Sequence, residues 1–475
     1  MHVLGPFLLL IGAYLAPENG VIEALTGRAR SAPPEFAADA LIRLAGCSLV
    51  EKAARPALLE EAFRLAANAQ QPLKKRAIPA ARAGAAVFLG RAFAQDLDAN
   101  TLQCRAVRGI LPLDARKARE LFREIPPPAL AKLSCDDALV WDVSAYYETL
   151  AEVAARGFSA AEIAEDEPFK MLAFHVRGMA FAAQVGPVAR MLAGARLPRA
   201  QMEALAASFA GALGELAADN RSFSDSVSRD GAAVAALAAQ CVKLEIPSAP
   251  LIEAWRGYLV RHLKAARCAD GAEPAAQAHD PVRFFNEAMR IDPAQPIAPE
   301  DAQPSKVENP ARGAASCRSA DCMRLAALYR DLVLGPGGQP HAPETRGSSE
   351  WQAKVKEYTS ALAEWQEEPG APAADLFQQK CSLYNELINV LPHGADRMTA
   401  LRSFLHFLEQ NSVQRENRME WFLPVNSLVA RVSLDPLGLG ELRRELRASE
   451  DPVIALYAAL EEVAPRPPGS RLSIF

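Results

Sequence analysis

The part of the chain that most constrains its fold is residues 348–410, where apolar side chains recur at alternating steps of four and three positions. Such steps place the apolar side chains on one face of a helix. The first helix predicted in this way carries Trp351, Val355, Tyr358, Leu362 and Trp365. The second carries Phe377, Cys381, Tyr384, Ile388 and Leu391, and the third carries Met398, Leu401, Leu405 and Leu408. Because only short loops separate them, we expect antiparallel helices that share one core.

The composition favours an all-α protein. Half of the 475 residues are hydrophobic and 23% are charged, which is ordinary for a folded soluble chain long enough for several domains. Alanine is abundant and suits closely packed helices, and no run of alternating β-branched residues predicts a strand. We therefore expect roughly 17–20 helices in antiparallel pairs. The net charge of −5 argues against a nucleic-acid partner, which would require a basic face.

Residues 1–19 are predicted to form a signal peptide. Residues 3–16 are apolar and uncharged. This length matches the hydrophobic region of a secretory signal but falls short of the ~20 residues of a membrane span. No other stretch is apolar enough to span a bilayer. We therefore expect an exported protein, periplasmic or extracellular, with no stable membrane span in its mature form. If the segment is instead a buried first helix, the protein is cytoplasmic.

A proline-rich segment divides the rest of the chain. Residues 269–316 include Pro293, Pro296, Pro299, Pro304 and Pro310, a density that predicts a connector, with one short helix at residues 281–291. The connector separates an N-terminal helical array, residues 35–268, from a C-terminal helical unit or bundle, residues 317–463. Residues 464–475 are predicted to form a tail.

Two observations indicate helical-hairpin repeats. Phe63, Phe93 and Phe122 recur at intervals of 30 and 29 residues, close to the length of solenoid repeats. The sequence Asn-Glu-Ala-Met-Arg-Ile-Asp-Pro at residues 286–293 resembles the end of a tetratricopeptide repeat, where an alanine-containing helix runs into a proline turn. Residues 117–122, followed by Pro126, look similar. The resemblance implies a solenoid-like helical array and no specific activity.

The eight cysteines suit an exported protein, because an even count is compatible with disulfides. Four of them lie among apolar helical residues and are predicted to be buried thiols, namely Cys47, Cys104, Cys241 and Cys381. Cys268, Cys317 and Cys322 flank the proline-rich segment and are the predicted disulfide formers. For Cys317 and Cys322 the alternatives are free thiols, or two ligands of a metal with His341 as a distant third. A zinc site needs four ligands, and no fourth is evident, so no metal is predicted.

The sequence contains no recognisable catalytic motif. It lacks a phosphate-binding glycine loop after a strand, a Gly-x-Ser-x-Gly elbow and a His-Glu-x-x-His pair, so we predict no catalytic residue and no cofactor. The acidic groups at residues 136–137 and 165–167 are interpreted as helix caps. Asp114 and either Ser348 or Ser349 are also predicted to cap the helices that follow them. Trp421, Phe422 and Pro424 form the predicted binding surface, because Pro424 should kink or split its helix beside two aromatic side chains.

These features predict a non-catalytic exported scaffold that binds a protein or peptide, since stacked helical hairpins usually present extended binding surfaces. This interpretation leans against an enzyme without excluding one. The rival hypothesis is a toroidal all-α enzyme acting on a polysaccharide or cell-wall glycan. A cleft containing both carboxylates and tryptophan would favour the enzyme. A cytoplasmic helical protein is the third hypothesis, and the oligomeric state is not predicted.

Overall fold

Helices dominate the computed structural model of the chain, which confirms the predicted all-α class. The structure describes residues 18–77, 85–217, 219–268, 280–289, 295–308, 319–335, 338–341, 345–366, 373–412, 418–434 and 439–465. Twenty-one α-helices lie within these residues. Residues 1–17, which hold most of the predicted signal peptide, and residues 466–475 of the predicted tail lie outside them.

The first thirteen helices are α1 (Glu18–Ser31), α2 (Pro34–Gly46), α3 (Arg55–Ala66), α4 (Ala85–Phe93), α5 (Ala99–Ile110), α6 (Ala115–Glu124), α7 (Ser144–Arg156), α8 (Ala160–Ala164), α9 (Glu167–Arg177), α10 (Val185–Gly194), α11 (Arg199–Glu215), α12 (Asn220–Lys243) and α13 (Ala249–Lys264). The remaining eight are α14 (Pro281–Phe284), α15 (Ala320–Val333), α16 (Ser349–Glu364), α17 (Ala373–Val390), α18 (Ala395–Gln410), α19 (Arg418–Leu434), α20 (Gly440–Arg447) and α21 (Pro452–Val463).

Side-chain caps set the start of several helices. Asp98, Asp114 and Asp219 accept hydrogen bonds from backbone N–H groups three residues ahead, at 3.0, 2.9 and 3.0 Å. Ser348 accepts one from Trp351 at 3.2 Å and begins α16. These bonds satisfy donors that a helix leaves unpaired in its first turn. The caps predicted at Asp114 and at residues 348–349 are therefore confirmed. The caps predicted at residues 136–137 and 165–167 are wrong, because α7 begins only at Ser144 and Asp166 precedes α9 without a side-chain cap hydrogen bond.

The helical seams of residues 348–410 are buried as predicted. The five seam residues predicted for each of the first two helices are all buried. The last residue of each seam, Trp365 or Leu391, directly follows the end of α16 or α17. In α18, Leu401, Leu405 and Leu408 are buried, while Met398 is half-buried. These side chains belong to one continuous hydrophobic cluster. Burying each large apolar side chain stabilises the fold by ~1.5–3 kcal/mol.

The apolar interior consists of two main cores, and the second draws on both ends of the chain. The first core is built by α3, α5–α7 and α9–α13 and extends to Ile297. The second combines α1, α2 and α4 with α15–α21. Helices α1, α2 and α4 therefore complete the core of the predicted C-terminal unit, although the predicted connector separates them from that unit in the sequence.

Buried polar contacts join the N-terminal helices to the last ones. On α2, Asp39 pairs with Arg105 at 2.7 Å and accepts a hydrogen bond from Tyr457 on α21, also at 2.7 Å. Glu35 accepts hydrogen bonds from Gln71 at 3.1 Å and from Arg418 at 3.4 Å. A buried charge is costly unless it is paired, so these contacts favour the docking of α2 that pairs Asp39 and Glu35.

A solenoid of equivalent repeats is not confirmed. Phe63 and Phe122 belong to the first core, whereas Phe93, at the same sequence interval, belongs to the second. The three phenylalanines therefore do not occupy equivalent positions.

Two short strand pairs interrupt the helical architecture, although no strand was expected. Strand β1 (Lys75–Ala77) pairs antiparallel with β2 (Leu139–Trp141), with Lys75 opposite Trp141. Strand β3 (Ala266–Cys268) pairs parallel with β4 (Lys306–Glu308). The β3–β4 pair ties the predicted connector to the end of α13. Tertiary packing imposes these strands, because three residues are too few for a sequence period to be visible.

The predicted helix at residues 281–291 is α14 followed by a π-helical turn, Phe285–Met289. None of the helices in the described ranges is both long and apolar enough to cross a bilayer.

Candidate functional site

A cavity of about 370 Å³ lies between the β1–β2 pair and helices α7, α10 and α12. Its volume is within the range of small-molecule sites. Polar side chains line most of it, including Ser144, Ser222 and Ser226. Its position reflects the strand pairing, because β1 and β2 present Arg76 and Trp141 to the same space.

The indole of Trp141 forms a fixed wall of the cavity. Its ring N–H donates a hydrogen bond of 2.8 Å to the carbonyl oxygen of Ala131. The ammonium group of Lys75 lies 4.2 Å from the centre of the ring, a favourable cation–π distance. Contacts on two sides therefore hold the ring against the cavity.

Three arginines from three different elements line the cavity. Arg76 of β1 and Arg229 of α12 both pair with Asp225, the latter at 2.6 Å. The carboxylate of Asp225 is only 1% exposed, so from beneath the surface it offsets part of the positive charge of the two guanidinium groups. Arg190 of α10 is exposed, and no hydrogen bond or ion pair joins its guanidinium to another described residue.

Asp230 is a buried carboxyl group in the cavity wall, 3% exposed. The hydroxyl of Ser226 donates a hydrogen bond of 2.6 Å to its Oδ2. Burial raises the pKa of Asp230 to about 7, against the opposing effects of Ser226 and of Arg190, Arg229 and Arg76. Near neutral pH this carboxyl group therefore exists in both protonated and ionised forms.

The close approach of α10 to α12 depends on Gly186. A Cβ atom at this position would lie 2.2 Å from Oδ1 of Asp230 and 3.2 Å from an Nη atom of Arg190. No side chain fits there without displacing one of them. Gly186 thus allows the carboxyl of Asp230 and the guanidinium of Arg190 to border the same space.

Asp142 and Glu148 also line the cavity, and each has a cation nearby. Burial raises the pKa of Asp142, but Lys74 at 3.9 Å and the N–H of Ser144 at 3.1 Å outweigh this and lower the pKa overall. Glu148 lies 3.6 Å from Arg108. The cavity therefore contains two carboxyl groups, Asp142 and Asp230, whose pKa values are shifted in opposite directions.

The predicted binding surface at Trp421, Phe422 and Pro424 lies in the interior. Trp421 and Phe422 are 2% and 0% exposed. Trp421 donates a hydrogen bond of 2.9 Å to the carbonyl of Leu408, and Phe422 packs 4.4 Å from the ring of Tyr457. Helix α19 runs through Pro424 without being split, so the aromatic pair contributes to the second core. Pro424 lines only a small internal pocket.

The cysteines divide into disulfides and buried thiols. Cys268 forms a disulfide with Cys135, 133 residues away, and Cys135 was not among the predicted disulfide formers. Cys322 is also disulfide-bonded, so neither the free-thiol nor the metal-ligand alternative holds for it. Cys317 lies outside the described residues. The four cysteines predicted to be buried thiols are confirmed as such: Cys47, Cys104, Cys241 and Cys381.

The residues that shape the cavity were not singled out from the sequence. One local signal was present, because Ser222, Ser226 and Asp230 recur every four residues on α12 and place a polar stripe on a face that is otherwise buried. Arg76 and Arg190 carry no comparable signal.

Within the described ranges, no three His, Cys, Asp or Glu side chains converge in a way that could hold a metal ion. Comparison of the sequence with known protein families and with curated proteins finds no match.

Proposed function

We propose that this protein is an exported, non-catalytic binding protein whose helical scaffold recognises a protein or peptide partner at the cavity beside the β1–β2 pair. The observation that carries the proposal is the cavity itself. It has the size of a binding site, a fixed aromatic wall and polar groups from four separate elements.

The oxidised cysteines support export. Disulfides form and persist in oxidising compartments and are rare in the cytosol. Cys135 and Cys268 are joined, and Cys322 is also oxidised. Thiol-trapped protein isolated from the producing cells should yield the linked Cys135–Cys268 peptide and a mature N-terminus beyond residue 16. Recovery of reduced Cys135 on a chain that retains residues 1–16 would support the cytoplasmic alternative.

Peptide binding can be tested by selection from a random peptide library against the purified protein. Enriched peptides should bind the wild type and lose affinity for Ser144→Trp, which places a large side chain against the cavity. The control is Ser159→Ala, which alters a cap on the exposed α8. Absence of enrichment, or equal binding to Ser144→Trp, would count against the cavity as the recognition site.

A second function has a specific observation in its favour. Asp142, Asp230 and Trp141 line one cavity, and the two carboxyl groups have oppositely shifted pKa values. Such a pair suits general acid–base hydrolysis of a glycan. Release of reducing ends from polysaccharide or cell-wall glycan, abolished in both Asp142→Asn and Asp230→Asn, would establish the enzyme. No release by the wild-type protein would leave the binding protein as the better account.

A further inference from the structure

We propose that the cavity beside the β1–β2 pair recognises a carboxylate, with the guanidinium of Arg190 as its main anchor. The inference rests on the proposed binding function and specifies the chemical group that enters the site. The carboxylate can belong to a peptide C-terminus, to an acidic side chain or to a small free acid.

Arg190 is the cavity arginine whose guanidinium no described carboxylate pairs with. Arg76 and Arg229 share Asp225, whose carboxylate is buried beneath them. Arg190 reaches the cavity from α10 with no hydrogen bond or ion pair to another described residue. A guanidinium presents a planar fork of N–H donors that matches a carboxylate in two-point contact.

The acidic groups of the cavity favour a single negative charge over a double one. Asp142 lies near Lys74, and Glu148 lies near Arg108. The nearby cation offsets part of the negative charge of each carboxylate, and the remaining charge repels an anion. Of the three arginines that line the cavity, Arg190 alone has no ion pair with a described residue. A phosphate dianion usually requires several converging cations or backbone N–H groups, whereas one guanidinium and one hydroxyl donor are sufficient for a carboxylate.

Asp230 supplies that second donor when it is protonated. It borders the same space as Arg190, because Gly186 leaves room for both side chains. The charged groups that face it are Arg76, Arg190 and Arg229, and Tyr258 faces it from α13. A protonated carboxyl can donate to a bound carboxylate, and an ionised one repels it. Binding should therefore weaken as pH rises through about 7, where burial has placed the pKa of Asp230.

The test uses the full-length protein and isothermal titration at low ionic strength. The probes are succinate, inorganic phosphate, N-acetyl-trialanine with a free C-terminus, the same peptide amidated, and amidated N-acetyl-Ala-Glu-Ala. We expect saturable binding of succinate or of at least one carboxylate-bearing peptide, and no binding of the amidated trialanine.

Arg190→Gln should weaken this binding about tenfold or more, because a charge-assisted hydrogen bond is lost. Arg190→Lys should restore part of it. The matched control is Arg177→Gln, which removes an exposed arginine of α9 that has no hydrogen bond or ion pair with another described residue. Asp230→Asn should bind with an affinity that no longer falls between pH 6 and pH 8.

The outcomes separate this inference from the proposed function. If succinate binds through Arg190 and no peptide does, carboxylate recognition stands and peptide binding fails. If a peptide binds equally well with and without its carboxylate, or equally well to Arg190→Gln, peptide binding stands and this inference is overturned. Tighter binding of phosphate than of every carboxylate, or no binding of any probe, also overturns it.

Discussion

Gly186 lies so close to the carboxyl group of Asp230 that the effect of Gly186→Ala on stability can be predicted. The new Cβ would lie 2.2 Å from Oδ1 of Asp230, where ordinary contacts begin at 3.4 Å, so the carboxyl must move by roughly 1 Å or more. That movement strains its 2.6 Å hydrogen bond from Ser226. Overpacking costs ~1–3 kcal/mol and a hydrogen bond to an ionisable group contributes ~1.5–3 kcal/mol, whereas replacing glycine in a helix gains at most ~1 kcal/mol. These terms give a net loss of roughly 1.5–5 kcal/mol in the free energy of unfolding.

Chemical denaturation measures this loss, and two further variants isolate its cause. Gly211→Ala in α11 meets nothing within 4 Å, so it should raise stability by up to ~1 kcal/mol. In an Asp230→Ala background the obstructing oxygen is absent, and Gly186→Ala should then be neutral or stabilising. If Gly186→Ala alone stabilises the protein as much as Gly211→Ala does, the proposed contact between α10 and α12 is refuted.

Three further predictions concern stability. Cys135→Ser removes a disulfide that spans 133 residues and should cost about 2–5 kcal/mol, seen as a lower melting temperature that reducing agent decreases less than it decreases that of the wild type. Tyr457→Phe removes a 2.7 Å hydrogen bond to buried Asp39 and should cost ~1–3 kcal/mol. Tyr358→Phe removes a buried hydroxyl that has no described partner and should cost almost nothing; equal losses in the two tyrosine variants would contradict this. Because burial raises the pKa of Asp230 from 3.8 to about 7, its contribution is fully present below pH 4 and is lost as pH rises through 7. Asp230→Asn should therefore gain stability relative to wild type between pH 5 and pH 8, and a difference independent of pH would disprove this.

Local patterns in the sequence predicted local structure well. The seams from Trp351 to Leu408 are buried because amphipathic spacing determines which face of a helix avoids water. The caps at Asp114 and Ser348 follow from the same kind of short-range rule. These features depend on residues within one or two helical turns.

Features that depend on distant residues could not be predicted. The spacing of apolar residues shows which face of a helix is buried but not which helix covers that face. The packing of α1, α2 and α4 against the C-terminal helices was therefore not predicted. The aromatic pair at Trp421 and Phe422 was interpreted as surface because the sequence cannot show what covers it. The cavity brings Arg76 together with Asp230, which lies 154 positions later in the sequence. No local pattern connects such positions, and the pairing of Cys135 with Cys268 is hidden for the same reason.

The participation of α2 in the second core has a consequence for the order of folding. Asp39 meets Tyr457 across a sequence separation of 418 residues, so the first helices to be synthesised are completed by the last. Closing so large a loop is slow, because its entropic cost precedes the contacts that offset it. Helix α2 can pack early against α1, α3 and α5, but the part of its surface that carries Phe36 must remain exposed until α19 and α21 are available. We therefore expect nascent chains truncated before residue 418 to be protease-sensitive at α2 and to require protection from aggregation.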